Sequence, residues 1–147
     1  MSADPTKSVL DELTKQFFQL FSNKDGTVPA LEKIHRLCIP QAIIIKNTGA
    51  SPELYTLEQF IAPRIKILTD GTLVEFSEEE IAERTEIFGN IAQRFCSYKK
   101  SGILSGQSFD TKGMKTIQFI KTAAGWKISS LAWDDEREGL KVLQDFI

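Results

Sequence analysis

The first segment of the chain carries apolar residues at spacings of three and four, the period of an amphipathic helix. The members of this stripe are Val9, Leu10, Leu13, Phe17, Leu20 and Phe21. The pattern predicts a helix over residues 5–22, with Asp4 as its cap and Pro5 at its first position. Residues 23–26 (NKDG) have the composition of a turn and end the helix.

Two further helices and one strand are predicted before residue 70. A short helix begins at Pro29 and runs to about residue 37. Residues 42–45 are rich in β-branched side chains, which favours a strand. Residues 48–52 form a loop, and Thr56 is a suitable N-cap for a third helix from residue 57 to about residue 68.

Beyond residue 72 the chain takes on the character of β-strands. The three successive glutamates at 78–80 suit a helix on propensity alone, but Gly89-Asn90 is a two-residue hairpin signal. We therefore predict a strand over residues 73–88 that pairs with the segment after the turn. The hairpin would place oppositely charged or polar residues across from each other. The expected pairs are Glu80 with Lys99, Glu79 with Lys100, and Thr85 with Arg94.

The remaining segments continue the sheet. Residues 101–113 contain three glycines and are predicted to be a loop. Strands are predicted over residues 114–121 and 126–134, joined by a turn at 122–125. The tail from residue 135 to 147 is polar, with apolar residues at helical spacing, and a short docked helix is the expectation there.

Three helices followed by an antiparallel meander predict an α+β fold over residues 1–147, with the helices packed on one face of a curved sheet. In the last two strands both faces carry apolar side chains, whereas a sheet with one solvated face alternates cleanly. One apolar set comprises Ile117, Phe119, Leu131 and Trp133, and the other comprises Met114, Ile120, Trp126, Ile128 and Ala132. The helices can cover only one face. We therefore expect a homodimer that pairs through the first set, on the outer face.

Composition and charge exclude several classes of function. Apolar residues make up 41% and charged residues 26%, as in ordinary soluble proteins. The net charge of −2 offers no basic excess for nucleic acid. No apolar run approaches the roughly 20 residues that span a membrane, and none of signal-peptide length follows the polar N-terminus. We expect a cytoplasmic protein that binds neither nucleic acid nor membrane. Cys38 and Cys96 lack metal-ligand spacing and are expected to be buried thiols.

Three local patterns resemble the nuclear transport factor 2-like superfamily, which includes ketosteroid isomerases and small polyketide cyclases. They are residues 86–93 (EIFGNIAQ) followed by Tyr98, residues 113–119 (GMKTIQF), and residues 125–136 (GWKISSLAWDDE). The last is similar to the final hairpin of many bacterial members of unassigned function. The resemblance covers roughly residues 6–138. It implies a cone, in which a bent sheet wraps the first helix and leaves a pocket, and it implies pairing through the outside of the sheet.

The chemistry of the isomerases is not carried over with that resemblance. Those enzymes use an Asp base with a Tyr and a protonated Asp. Here the first helix has no tyrosine, residues 42–45 have no carboxylate, and residues 114–122 have neither Asp nor Glu. Phosphate loops, nucleophile elbows and metal motifs are also absent, so no cofactor and no metal are expected. His35, the single histidine, is the candidate acid–base, or a partly buried histidine bonded to a backbone carbonyl.

Four residues are candidates for ligand binding. Arg94 and Tyr98 share one strand face. That face either lines the pocket, where the pair could hold an anion or a carbonyl, or points outward, where Arg94 would serve a dimer or pair with a glutamate. Gln118 interrupts an apolar strand and faces either solvent or the pocket. Tyr55 precedes the third helix, at a position suited to a pocket rim or to simple packing.

These observations predict a homodimeric small-molecule-binding domain whose mainly apolar pocket accepts an unknown small apolar or acidic ligand. One alternative is a cyclase, isomerase or dehydratase with His35 as acid–base and Arg94 or Tyr98 polarising a carbonyl. Another is an assembly module whose cone is filled by side chains. A cavity of a few hundred Å³ would separate binding or catalysis from assembly.

Overall fold

The computed structural model describes residues 5–147; Asp4, the expected cap of the first helix, lies outside that range. The helices are α1 (Thr6–Gln19), α2 (Ile34–Leu37) and α3 (Leu57–Thr69). The strands are β1 (Cys38–Lys46), β2 (Glu53–Tyr55), β3 (Leu73–Phe88), β4 (Ile91–Leu104), β5 (Gln107–Thr122) and β6 (Gly125–Asp135). Short 3₁₀ turns lie at Lys24–Gly26, Leu31–Lys33 and Gln144–Phe146.

The six strands form one curled sheet in the order β2-β1-β6-β5-β4-β3. The sheet is not closed, because β2 and β3 are left at its two edges. The predicted α+β class, with three helices on a curved and mostly antiparallel sheet, is confirmed. One pair was not foreseen: β1 runs parallel to β6, so that residues 43–46 lie beside residues 130–133.

Helix α1 forms because its apolar stripe packs into the core, where Leu10, Phe17 and Phe18 are buried. It ends at Gln19, three residues before the predicted end, and the chain then turns across the core. Asn23 fixes this turn through its side chain. It donates to the carbonyl oxygens of Leu68 (3.1 Å) and Leu73 (2.7 Å) and accepts from the Phe76 N–H (2.7 Å). One side chain thus ties the end of α1 to α3 and β3.

Helix α3 begins as predicted at a Thr56 cap. The Gln59 N–H donates to the Thr56 hydroxyl at 3.2 Å, and the Gln59 side chain accepts from the Thr56 N–H at 3.0 Å. This reciprocal pair is a capping box. Just before it, the short edge strand β2 lies between the predicted loop 48–52 and the helix. A three-residue strand carries too short an alternating pattern to be recognised by periodicity.

The predicted hairpin closes at Gly89-Asn90, and Thr85 lies opposite Arg94 as expected. The two charge pairs are wrong by one residue, because a bulge at Ile81 shifts the register. Glu79 therefore faces Lys99, with a 3.0 Å ion pair, and Glu78 faces Lys100.

The predicted loop at residues 101–113 is a second tight hairpin instead. Strands β4 and β5 pair without interruption from Ile91 opposite Ile120 to Leu104 opposite Gln107. The turn residues Ser105 and Gly106 both have positive φ, at 50° and 83°. Two positive φ values fit the turn that matches strand twist. Gly106 lies in this turn, whereas Gly102 and Gly113 lie within strands, where a Cβ would meet atoms of the neighbouring strands.

A second bulge, at Ser129, decides the faces of β6. Ile128 and Leu131 would point to opposite faces of a regular strand, because side chains alternate. The extra residue turns both toward the helices, where they are 0% and 2% exposed. Trp126 and Trp133 face the same way, so the two apolar sets of β6 belong to one core, apart from Ala132.

The prediction that the first apolar set forms the dimer surface is therefore wrong. Ile117, Phe119 and Leu131 are buried in the core of the chain. Trp133 packs against that core, 5.9 Å from the ring of Phe60 between centroids. The outer face instead carries the neighbouring positions of the same strands, which include Thr116, Gln118, Ser130 and Ala132.

The tail is not the expected helix. It makes a turn at Arg137–Leu140 and folds back over the outer face of the sheet. Phe146 is buried there with its ring 5.3 Å from Phe95, and the Ser97 hydroxyl donates to the Phe146 carbonyl oxygen at 2.6 Å. The tail thus covers one part of the outer face.

Gly113 permits a close contact between neighbouring strands. A methyl group on its Cα would overlap the Tyr98 hydroxyl and the backbone carbonyl oxygen of Asp134. We expect Gly113→Ala to lower the free energy of unfolding by about 1–3 kcal/mol, because the strands must separate to admit the methyl group. Gly49→Ala is the matched control, since no atom lies within 4 Å of its added carbon. Equal urea denaturation midpoints for the two variants would contradict this account of the contact.

Candidate functional site

A cavity of about 400 Å³ lies between the helices and one end of the inner sheet face. This volume falls within the roughly 300–1,000 Å³ of small-molecule sites. Most of its wall is apolar and comes from α1, α3 and strands β3 to β6. The apolar lining residues are Phe17, Phe21, Phe60, Ile67, Leu68, Leu73, Phe76, Leu104, Phe109 and Trp133. Such a wall favours a ligand with an aromatic or aliphatic body.

The polar part of the lining is mainly cationic. It comprises Lys46, Arg64, Lys100, Lys115, Glu78, Asp135, Thr48 and Thr111. Each carboxylate already has a lysine partner: Glu78 lies 3.4 Å from the Lys115 Nζ, and Asp135 lies 3.0 Å from the Lys100 Nζ. No carboxylate of residues 5–147 forms an ion pair with Arg64 or Lys46. The lining therefore carries two cations that make no direct ion pair with a carboxylate of the described residues, although Glu53 and Glu78 act on Arg64 from further away.

Lys115 is a buried cation surrounded by aromatic rings. Its side chain is 4% exposed, and its Nζ lies 4.3 Å from the ring centroid of Phe18. Three further ring centroids, of Phe17, Tyr98 and Trp133, lie 5.2–5.6 Å away. The negative ring faces stabilise the ammonium in place of water. Its contact with Glu78 is long, so the charge is held mainly by rings.

Arg64 lies on α3 with its guanidinium carbon 3.9 Å from the Phe60 ring centroid. The same carbon is 5.5 Å from the Tyr55 ring and 6.0 Å from the Trp133 ring. Its Nη1 donates to the Phe60 carbonyl oxygen of the preceding helical turn at 3.0 Å. Burial lowers the pKa of Arg64, although Tyr55 opposes that effect. The guanidinium stays charged, since arginine is effectively always protonated in proteins.

Tyr98 faces inward, as one of the two predicted orientations required, but its hydroxyl is already engaged. It makes a short hydrogen bond to the Asp135 carboxylate and lies 3.1 Å from the Asp134 carbonyl oxygen. Burial, followed by the bond to Asp135, raises the pKa of Tyr98. The ring is fully buried beneath Lys115. Tyr98 therefore packs beneath the cavity residue Lys115, and its hydroxyl is not available to a ligand.

Arg94 also faces inward, yet it binds carboxylates of the chain itself. Its Nε and Nη2 donate to the two oxygens of Glu80 at 2.9 and 2.6 Å. Its Nη1 donates to Asp11 at 2.7 Å and to the Thr85 hydroxyl at 3.0 Å, and Glu83 lies 3.4 Å away. Pairing with a strand glutamate was predicted only for an outward-facing Arg94, but it occurs here on the inner face. The guanidinium therefore has little left for a ligand. Arg94 holds α1 against β3 and β4.

The other three sequence candidates lie outside the cavity lining. His35 is on the surface of α2, with its Nε2 2.9 Å from Glu58. Gln118 is on the outer face and accepts a hydrogen bond from the Ser129 hydroxyl at 2.9 Å. Tyr55 lies beside Arg64, close to the rim, and donates to Glu53 at 2.6 Å.

Lys115 and Arg64 line the cavity but were not predicted from the sequence. Of the two, only Lys115 has a recognisable sequence pattern. Lys115 stands two residues before Ile117 and four before Phe119, so it occupies an inward position of an apolar alternating strand. A lysine at such a position has to be buried with a partner or line a cavity. Arg64 left no comparable signal, because α3 carries cations on its exposed face as well.

Asp134 and Asp135 point to opposite faces, as expected for neighbours in a strand. Asp135 lines the cavity, whereas Asp134 lies on the outer face and accepts from Arg137 at 2.6 Å. Cys38 and Cys96 are buried free thiols, and burial raises the pKa of each to about 12.

Among residues 5–147 no group of His, Cys, Asp and Glu side chains is arranged to hold a metal ion. None of the helices in the described part of the chain combines the length and apolar character that a membrane crossing requires.

Comparison with solved structures identifies the fold. A nuclear transport factor 2-like superfamily protein from Salmonella enterica superimposes with a TM-score of 0.73 at 15% identity, over 92% of this chain and 94% of that one. A protein with a cystatin-like fold from Caulobacter vibrioides gives 0.70 at 10% identity, over 91% and 92%. A putative calcium/calmodulin-dependent kinase II association domain from Exiguobacterium sibiricum gives 0.71 at 11% identity, over 93% and 98%.

No protein-family model and no curated protein sequence matches the chain. The superpositions on solved structures show that the fold is nuclear transport factor 2-like, as the resemblance implied. They establish the fold alone.

The Arg94 cluster should make stability depend on pH. Burial raises the pKa values of Asp11 and Glu83, but hydrogen bonds from Lys7 and Arg94 to Asp11, and from Thr85 and Lys7 to Glu83, bring both below their usual values. Carboxyl groups with a lowered folded pKa stabilise the fold above the unfolded pKa of about 4 and lose that contribution as pH falls further. Arg94→Met should cost about 3–5 kcal/mol at pH 7, because it leaves Glu80 without its buried partner.

The cost of Arg94→Met should shrink as the pH is lowered from 7 to 3, since protonation of Asp11 and Glu83 weakens their interactions with Arg94 in the native protein. Urea denaturation at several pH values measures it, with Arg137→Met, at an exposed arginine, as the control. A cost that is the same at every pH would show that the arginine acts through packing alone.

Proposed function

We propose that residues 1–147 form one small-molecule-binding domain whose ligand enters the cavity between α1, α3 and the sheet. The observation that carries this proposal is an open cavity of about 400 Å³ with an aromatic and aliphatic wall. Burial of apolar ligand surface contributes about 25 cal/mol per Å² and requires no catalytic group. An unfilled cone of this kind has no structural benefit by itself, because empty core volume destabilises a protein.

The two alternatives have less support. The assembly module required a cone filled by side chains, and the cavity is open. The enzyme required His35 as acid–base within reach of a bound ligand. His35 is instead paired with Glu58 on the surface and does not line the cavity. The anchors proposed from sequence are replaced by cationic groups of the lining, of which Arg64 and Lys46 have no ion-pair partner among residues 5–147.

We further propose that the chain is a homodimer through the uncovered part of the outer sheet face. A groove of about 630 Å³ crosses this face between β1 and β3. Phe88 and Ile91 stand at one side of it, 85% and 53% exposed, and the polar Gln93 and Gln118 lie within it. An exposed apolar surface with a polar rim is typical of interaction sites. The tail already covers the adjoining part of the same face. A cytoplasmic location remains a prediction.

The binding proposal predicts uptake of a neutral apolar fluorophore. N-phenyl-1-naphthylamine should bind with increased fluorescence, and it should raise the melting temperature as its concentration increases. Thr111→Trp should weaken this binding by about tenfold or more, because the indole fills the cavity that Thr111 lines. Lys112→Trp is the control, since the neighbouring strand position points to the other face. Equal loss in both variants, or no uptake by the native protein, would contradict the proposal.

The dimer proposal predicts that Phe88→Glu and Ile91→Glu give monomers. Each places a charge where a partner copy would bury at least about 1,000 Å² of total surface. Light scattering at micromolar concentration should give the native protein twice the mass of one chain and each variant the mass of one. Val28→Glu, at an 80% exposed position away from the sheet, should remain dimeric. A monomeric native protein would refute the dimer and leave the ligand proposal unaffected.

A further inference from the structure

The cavity holds more positive charge than its own carboxylates balance, in a chain whose net charge is −2. Both carboxylates of the lining are paired with lysines: Glu78 with Lys115 and Asp135 with Lys100. The excess therefore resides on the cations that lack such partners. Of these, Arg64 is the one whose aromatic contacts and hydrogen bond define a binding geometry.

One face of the Arg64 guanidinium is fixed by aromatic contact. Its central carbon lies 3.9 Å from the Phe60 ring centroid, and the Trp133 and Tyr55 rings lie further out. The guanidinium donates to the Phe60 carbonyl oxygen, which uses one of its five N–H groups. The guanidinium is thus held in place by packing, and most of its planar donor edge is not occupied by carboxylate.

Arg94 provides a comparison within the same protein, because carboxylates of the chain occupy the hydrogen-bond donors of its guanidinium. It binds Glu80 through two parallel hydrogen bonds and Asp11 through a third. Both arginines are largely removed from water, yet among residues 5–147 carboxylate oxygens lie against the donor edge of Arg94 only. The difference between them is that Arg64 lines a cavity large enough to admit a carboxylate from outside.

We propose that the ligand of the cavity is an apolar organic acid, with its carboxylate on Arg64 and its aromatic or aliphatic body along the ring-lined wall. This inference rests on the proposed binding function and specifies its ligand. A carboxylate matches the fork of an arginine because it accepts two parallel hydrogen bonds. Lys46 and Lys115 add positive charge to the same cavity, whereas Glu78 repels the ligand and weakens the field of Lys115.

The test compares 2-naphthoate with 2-naphthamide, which have nearly the same shape and differ in charge. Each is titrated against native protein loaded with N-phenyl-1-naphthylamine, and its affinity is obtained from the loss of fluorescence. We expect 2-naphthoate to bind at least about tenfold more tightly, the ratio typical of a hydrogen-bonded charge. In Arg64→Met this preference should disappear, while the affinity for 2-naphthamide stays within about threefold of native.

Two further variants make the assignment specific. Arg36→Met removes an exposed arginine outside the lining and should keep the full preference for the acid. Glu78→Gln removes a negative charge from the lining and should tighten 2-naphthoate severalfold without changing 2-naphthamide. This variant retains every cation, so it tests the inference even if Arg64→Met does not fold.

The outcomes separate the inference from the function on which it rests. Equal binding of acid and amide would overturn the acidic ligand and leave an apolar binding site. A preference that persists in Arg64→Met would overturn Arg64 as the anchor. Failure of the native protein to take up the fluorophore or either naphthalene compound would overturn the binding function itself.

Discussion

Of the bulges in the sheet, those at Ile81 and Ser129 determine which side chains in the middle of β3 and β6 face the helices. Residues three apart in a regular strand point to opposite faces. The bulge at Ile81 brings both Glu80 and Glu83 to the inner face, where they meet Arg94. The bulge at Ser129 brings both Ile128 and Leu131 into the core. Bulges also bend a strand and increase its twist, so the same two residues contribute to the curvature that forms the cavity.

The inner face is divided along β4 into a closed end and an open end. Arg94 lies at the closed end, where α1 supplies Asp11 and β3 supplies Glu80. Lys100 lies six residues further along, in the wall of the cavity. Tyr98 stands between them with its hydroxyl bound to Asp135. At the closed end, carboxylates of the chain bind the arginine, and this cluster holds the fold together. At the open end, Arg64 and Lys46 make no direct ion pair with the described residues and line the cavity.

Local signals in the sequence were sufficient for most elements. They failed at β2, at the second hairpin and at the tail, and wherever the outcome depended on register. The Thr56 cap, the Gly89-Asn90 turn and the α1 stripe each act within a few residues, and each was predicted. A bulge depends on the pairing with neighbouring strands, so the bulge at Ser129 could not be predicted from the sequence of β6. The dimer residues of β6 were therefore predicted on the wrong face. For the same reason the site was predicted poorly. Arg94 and Tyr98 do face inward, but their partners Glu80, Asp11 and Asp135 come from other elements, and no spacing shows that they are occupied.

The cations of the cavity are difficult to explain by stability alone. Transferring an ammonium or guanidinium from water into a poorly solvated site costs several kcal/mol, and a long contact such as the 3.4 Å between Lys115 and Glu78 recovers little of it. Apolar residues of similar volume would pack against Phe18 and Trp133 without that cost. Rings around Lys115 and beneath Arg64 offset part of the penalty. A chain that keeps these groups charged, ring-supported and facing a cavity has the arrangement that an acidic ligand needs, and the ligand's carboxylate would supply the charge that the chain itself does not.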